Sequence, residues 1–271
     1  MAVQKLLADL EEVIRGYGST VVAFSGGVDS SLVAFVAHKV LGDRAIAVIS
    51  DSPTLPREEL EEARATAEAI GIRFDPLVRN ELEDPRFVAN PVDRCYFCKA
   101  GLQDDLEAYA RERGFATVSY GVNKSDMGDW RPGVQASRER GGRFPLLEAG
   151  LDKNGIRHVS QDLGLTVWDK PASPCLSSRV PYGEVITIDK LNKIEQAESL
   201  VRRHGFRDLR VRHIDGVARV EVPADEVDRL HSVGAEIERG LRSLGFRQVV
   251  LDGRGLVSGR LNLEHGGLAR V

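Results

Sequence analysis

Long apolar runs are missing from this 271-residue sequence. No stretch approaches the roughly 18 uninterrupted apolar residues that a membrane span needs, so no crossing of a bilayer is expected. A basic segment followed by an apolar signal core is missing as well. The opening MAVQKLLADLEEVIRGYG carries Asp9, Glu11 and Glu12 and has the period of an amphipathic helix, which argues for a cytoplasmic protein. There is no excess of positive charge. The formal net charge is −4, so the molecule offers polyanions no long-range attraction, and nucleic acid is not the expected partner even though a local basic face is compatible with that total. Cysteines are scarce and odd in number, three in all. Without an export signal, a disulfide framework is not expected, and reactive or metal-binding thiols are. Internal repeats and low-complexity segments are absent too.

What is present suits two domains, the usual domain being roughly 100 to 150 residues. A hydrophobic content of 42% and a charged content of 29% are those of a soluble globular chain. The first half alternates β-branched runs with helical patterns: STVVAFSGG, then SSLVAFVAHKVLG, RAIAVISD, REELEEARATAEAIG, IRFDPLVR, GLQDDLEAYARERG and ATVSYGVN. This alternation predicts an α/β fold, a doubly wound parallel sheet with helices on both faces and ligands at the carboxyl ends of its strands. After Pro181 the rhythm changes to a helix (TIDKLNKIEQAESLVRRHG), two strands around IDG, a second helix (ADEVDRLHSVGAEIERGLRSLG) and a last strand (FRQVVLD). The expected domains are 1–180, a smaller α+β module at 181–259, and a loose tail at 260–271.

The most specific stretch is VVAFSGGVDSSLVAF. An apolar strand ends at Phe24, Gly26 and Gly27 allow a tight turn, and Asp29, Ser30 and Ser31 open a helix whose first amides lack intrahelical partners. Those amides, the positive helix end and the hydroxyls of Ser25, Ser30 and Ser31 make an anion site. A glycine turn with a helix cap would account for SGG alone. The full SGGVDSS between an apolar strand and an apolar helix points to phosphate, and not through a Walker loop, since no Gly-Lys-Ser/Thr follows. Further on, GVNKSDMGDWRPG supplies Gly121, Asn123, Asp126, Asp129 and Arg131 at a strand's carboxyl end. That is more polar functionality than a turn needs.

The loop resembles the SGGxDS signature of the ATP pyrophosphatase, or PP-loop, family. Its members adenylate a carboxyl or carbonyl oxygen, expel pyrophosphate and let nitrogen or sulfur displace AMP. The resemblance implies ATP as substrate, Asp29 as a magnesium ligand, and Ser50 and Asp51 near the adenosine. Gly121, Asp126, Asp129 and Arg131 are assigned by it to the nucleotide. A nitrogen-transferring member would need a glutaminase domain, and none is recognisable. Taken with RCYFCK, PCLSSRVPYGE and the trailing α+β module, the chain resembles the LarE-like family, ATP-dependent sulfur transferases that act in nickel-pincer cofactor synthesis. That resemblance implies a pyridinium-dicarboxylate mononucleotide as the small-molecule substrate, converted to a thiocarboxylate, and a homo-oligomer, a hexamer by family analogy.

The cysteines leave two readings open. In the single-cysteine form of the family the residue matching Cys175 gives up its own sulfur, and Arg179 nearby would favour its thiolate, the form that attacks. Alternatively Cys95 and Cys98, a C-x-x-C pair, join Cys175 as three soft ligands for a [4Fe-4S] cluster, as in the three-cysteine branch. Half a zinc site completed by a residue such as His158, a redox disulfide and two incidental thiols are further possibilities. In the second domain, Arg210 and Arg212 repeat on one strand face and would form a fork for phosphate or carboxylate, unless that face is simply solvated. By resemblance Ser178, Arg179, Glu198 and Glu221 join them around the substrate. A tRNA thiolase and a non-catalytic nucleotide sensor are the competing functions.

Overall fold

The computed structural model of the chain describes residues 2–128, 132–257 and 260. In chain order the elements are α1 (Ala2–Gly16), β1 (Thr20–Ala23), α2 (Val28–Leu41), β2 (Ala45–Asp51), α3 (Arg57–Ile70), β3 (Arg73–Val78), α4 (Pro85–Val88), α5 (Arg94–Glu112), β4 (Thr117–Tyr120), α6 (Pro132–Glu139), α7 (Pro145–Glu148) and α8 (Lys153–Asp162). They continue with a 3-10 turn (Leu176–Arg179), α9 (Ile188–Arg203), β5 (Arg210–Ile214), β6 (Val217–Glu221), α10 (Val227–Ser232), α11 (Gly234–Ser243) and β7 (Gln248–Leu251). Among the described residues no helix is long and apolar enough to cross a membrane.

Two compact units divide the chain. Of the described residues, one comprises 2–80 and most of 93–173, the other 81–92, 174–257 and 260. The first is built on a four-stranded sheet in the order β3-β2-β1-β4, with every pairing parallel. Because side chains alternate along a strand, neighbours in sequence enter different cores. Val22, Ala47 and Ile49 pack with Leu10 and Ile14 of α1, Leu32 and Val36 of α2, and Ile156 of α8. Val21, Ile46 and Val48 pack instead with Leu102, Leu106 and Tyr109 of α5. The sheet is therefore covered on both faces, as the near-continuous apolar runs of its strands require.

The second unit holds a three-stranded sheet, order β5-β6-β7, in which β5 and β6 are antiparallel and β6 and β7 parallel. Val211, Val220 and Val222 meet Val201 of α9 and Ile237 and Leu241 of α11 in its core. Three features differ from the sequence expectation. The single helix expected over ADEVDRLHSVGAEIERGLRSLG is two helices, broken where Val233 takes φ −103 and ψ 7. The unit starts at 174 and recruits 81–92 because Asn90, fully buried, donates through Nδ2 to the carbonyls of Pro181 (2.7 Å) and Glu184 (3.0 Å). Finally, Arg260, the first residue of the expected loose tail, is buried and ion-paired; residues 261–271 lie outside the described residues.

Candidate active site

Where β1 ends, the chain turns through Ser25, Gly26 and Gly27 into α2. Gly26 has φ +67, and a Cβ there would lie 2.8 Å from Cβ and 2.9 Å from Cα of Ala63. Only glycine combines that dihedral with that approach. The loop is braced from within: Ser30 Oγ donates to the Gly27 carbonyl (3.1 Å), accepts from the Ser25 amide (3.2 Å) and lies 3.0 Å from Ser25 Oγ. Ser31 Oγ and, at the end of β2, Ser50 Oγ are buried without a hydrogen-bond partner among the described residues. Burying an unpaired hydroxyl costs about 1–3 kcal/mol, so Ser31, in the first turn of α2, suits a polyanionic ligand that would satisfy it. The donor set thus fits the triphosphate of a nucleotide.

The loop after β4 lies directly against this cradle. A Cβ on Gly121 would sit 2.7 Å from the Ser30 amide nitrogen and 2.9 Å from the Asp29 carbonyl carbon, so glycine is what allows the two backbones to touch. Asn123 is fully buried and donates through Nδ2 to Asp29 Oδ2 (3.0 Å), while its own amide donates to Asp126 Oδ2 (3.1 Å). Asp29 is thereby held in one orientation, with its carboxylate available in type for a hard cation such as magnesium. Asp126 in turn lies 3.8 Å from Lys153 Nζ. Asp51 pairs with Arg57, whose Nη2 also donates to the carbonyls of Ser52 and Leu55 (both 2.8 Å). It therefore fastens the start of α3. Asp129 and Arg131 fall outside the described residues.

Cys95 and Cys98 stand in the first turns of α5, one helical turn apart and hence on one face. Helix α5 begins earlier than the GLQDDLEAYARERG pattern predicts. Arg79, at the end of β3, donates through Nη1 to the Cys98 carbonyl (3.2 Å), with Cys98 Sγ 4.0 Å away, and through Nε to Asp105 (3.1 Å). None of the three cysteines is in a disulfide. His158 is exposed on α8, and among the described residues no group of three His, Cys, Asp or Glu side chains is arranged to hold a metal.

Cys175 belongs to the second unit and is exposed at the start of the 3-10 turn. Under it lies a buried charge network. Arg179 and Glu198 form a two-pronged pair, Nε to Oε1 at 2.8 Å and Nη2 to Oε2 at 2.9 Å. Arg212 donates to Glu221 Oε2 through Nε (3.1 Å) and Nη2 (3.0 Å) and to the Ser178 carbonyl through Nη1 (2.8 Å). Arg260 adds bonds to Glu221 Oε1 (2.9 Å) and Asp252 Oδ2 (2.7 Å). Burial, and after it the neighbouring Arg179 cation, push the pKa of Arg210 below the usual guanidinium value. Arg210 Nη1 donates to Asp208 Oδ1 (3.1 Å) and to the Leu209 carbonyl (2.6 Å).

All six residues expected at the substrate therefore gather in the second unit, but not as equals. Arg179, expected to stabilise the thiolate, is bonded to Glu198 and to backbone carbonyls, and Glu198 also accepts the Val211 amide (3.0 Å). Sequence reasoning missed Arg79, Arg260 and Asn90. The Asn-Pro dipeptide at 90–91 was a usable turn signal for Asn90; nothing local marks the two arginines.

A family model described as NAD synthase matches residues 2–83, which contain the whole cradle. The chain is 46% identical to an uncharacterized protein of Synechocystis sp., over 94% of this chain and 96% of that one. It is 29% identical to the tRNA-specific 2-thiouridylase MnmA of Sphingopyxis alaskensis, over 62% of this chain and 53% of that enzyme. It is also 38% identical to the pyridinium-3,5-bisthiocarboxylic acid mononucleotide synthase of Lactiplantibacillus plantarum, over 94% of this chain and 93% of the enzyme. A match of that depth along both chains reaches well beyond the shared phosphate loop, and the chain belongs to the LarE family of PP-loop, ATP-dependent sulfur transferases.

Proposed function

We propose that this protein adenylates a carboxylate of a pyridinium-dicarboxylate mononucleotide and replaces the resulting AMP with sulfur delivered at Cys175, within nickel-pincer cofactor synthesis. The observation that carries the reading is the cradle at residues 25–31, where the Ser31 hydroxyl is buried without a partner among the described residues. A carboxylate oxygen attacks the α-phosphorus of ATP, and the bond to the β-phosphate oxygen breaks. The α2 amides, Ser25, Ser30 and Ser31 receive the departing pyrophosphate, Asp29 would hold the magnesium that neutralises it, and Ser50, Asp51, Gly121, Asp126, Asp129 and Arg131 frame the nucleotide. Arg210 and Arg212, the latter held in place by Glu221, serve the substrate's anionic groups in the second unit.

The Cys175 thiolate then attacks the acyl carbon and AMP leaves, giving a thioester. Loss of the Cys175 Cα proton with cleavage of its Cβ–S bond releases the thiocarboxylate and leaves dehydroalanine. Intact mass after one turnover is expected to fall by the elements of hydrogen sulfide. Cys175→Ala should still release pyrophosphate when ATP and the mononucleotide are added but form no thiocarboxylate. Thiocarboxylate formation by that variant, or a wild-type chain of unchanged mass and no metal, would refute the scheme.

The geometry of Cys95 and Cys98 on one helix face, beside Arg79, favours a second reading in which these thiolates and Cys175 hold a [4Fe-4S] cluster. The described residues do not present such a site assembled. Protein prepared without oxygen decides: iron and broad visible absorbance support the cluster, and a colourless, iron-free preparation excludes it. Sedimentation of the same preparation tests the homo-oligomer, and fractionation of cells tests the cytoplasmic assignment.

A further inference from the structure

We propose that Arg179 is a positioning residue, not a substrate ligand: with Glu198 it grips the backbone of residues 174–178 from inside the second unit and so holds the Cys175 thiol out at a fixed place. This rests on the reading that Cys175 carries the transferred sulfur.

Neither member of the pair offers a surface to a ligand. The side-chain exposures are 0% for Arg179 and 1% for Glu198. Nε and Nη2 of the guanidinium are spent on the carboxylate. Nη1 faces the turn, donating to the carbonyls of Pro174 and Cys175 (3.1 Å for the latter) and to Ser178 Oγ (2.9 Å). Glu198 is in turn anchored to the sheet, since its Oε1 accepts the Val211 amide of β5. A second tie comes from Arg212, which donates to the Ser178 carbonyl while bonded to Glu221 on β6.

Three carbonyls of the turn, those of residues 174, 175 and 178, are thus drawn inward by two guanidinium groups. The Cys175 carbonyl accepts the Ser178 amide as well (2.9 Å). With its carbonyl held inward, Cys175 is left exposed. The task requires arginine. Its planar fork meets a carboxylate with one edge and still has a nitrogen for the turn, whereas the point charge of lysine cannot span both. Reaction rates fall steeply when a nucleophile drifts by about 1 Å from its productive place, which makes such a grip matter for transfer but not for adenylation.

The test compares wild type, Cys175→Ala and Arg179→Lys in single turnover with ATP and the mononucleotide, together with amide hydrogen exchange. In Arg179→Lys, pyrophosphate release should stay within about twofold of wild type, while thiocarboxylate formed per pyrophosphate falls by at least about tenfold. The Ser178 and Val180 amides, which close the turn, should exchange at least about tenfold faster, with the β6 amides unchanged. A melted variant would lose pyrophosphate release and β6 protection too, so the split separates positioning from general destabilisation. Wild-type transfer and wild-type exchange at 178 and 180 would overturn the proposal. Thiocarboxylate from Cys175→Ala would instead overturn the role of Cys175, and the exchange result would still judge the grip. If Arg179→Lys does not fold, Ser178→Ala takes its place by removing one acceptor of Nη1; an expected two- to fivefold loss of transfer and faster exchange at 180 support the grip, and no change in either overturns it.

Discussion

At the scale of single residues, the nucleotide end of the site depends on two absent methyl groups. At Gly26 an added Cβ would meet Ala63 at 2.8 Å on a backbone of φ +67, and at Gly121 it would meet the Ser30 amide at 2.7 Å. Gly26→Ala is expected to lower stability by about 1–3 kcal/mol through strain and displacement of the loop. Its pyrophosphate release should fall at least about tenfold, since the amides would no longer face the leaving group. A thermal melt alongside a pyrophosphate assay checks both, and near-wild-type turnover would show that the loop tolerates the shift. The glycines were legible in the sequence because backbone geometry is a local demand. The reason for Asn123 was not: it is a bond to Asp29, 94 residues away.

At the scale of elements, the end of β7 carries a pH-sensitive tie. Asp252 is held at a pKa of about 2, first by its hydrogen bonds from Arg254, against the opposing effect of burial, with Arg260 adding to the depression. A carboxylate with a folded pKa below its unfolded value stabilises the fold above the unfolded value, near 3.8. That stabilisation is lost as pH falls through the folded one. The tie is worth about 2 kcal/mol, so the second unit should lose about that much between pH 4 and pH 2, and Asp252→Asn should flatten that part of the profile. Denaturant unfolding at stepped pH measures it; an unchanged slope in the variant would show that other carboxylates set the acid limit. The elements themselves followed from period: alternation in β1 and β2 separates the two cores, and the pattern of α9 buries Leu191, Ile194, Ala197 and Val201. The break between α10 and α11 was hidden because the apolar period runs through it.

At the scale of the whole molecule, the net charge of −4 argues against a nucleic-acid substrate even though a tRNA thiolase is among the relatives. The match covers only 53% of that enzyme. Binding of bulk tRNA is expected to be weak and to lack a steep salt slope; tight binding that weakens strongly between low and physiological salt would favour the thiolase reading. The sequence placed the domain change near residue 180, whereas the second unit begins at 174 and also takes in 81–92. The Asn-Pro turn signal at 90–91 does not reveal that excursion, because it is held by Asn90 reaching carbonyls about ninety residues on.

By itself the sequence determined the parallel sheet, the phosphate cradle and the family, since strand alternation, a glycine turn and a helix start are set by neighbours a few residues apart. Only the tertiary structure decided what the charges do. Arg179 meets Glu198 across 19 positions and Arg260 meets Glu221 across 39, and a pairing between distant charges leaves no period to read. Burial then gives those pairs their force, because a charge removed from water must find its partner inside the fold.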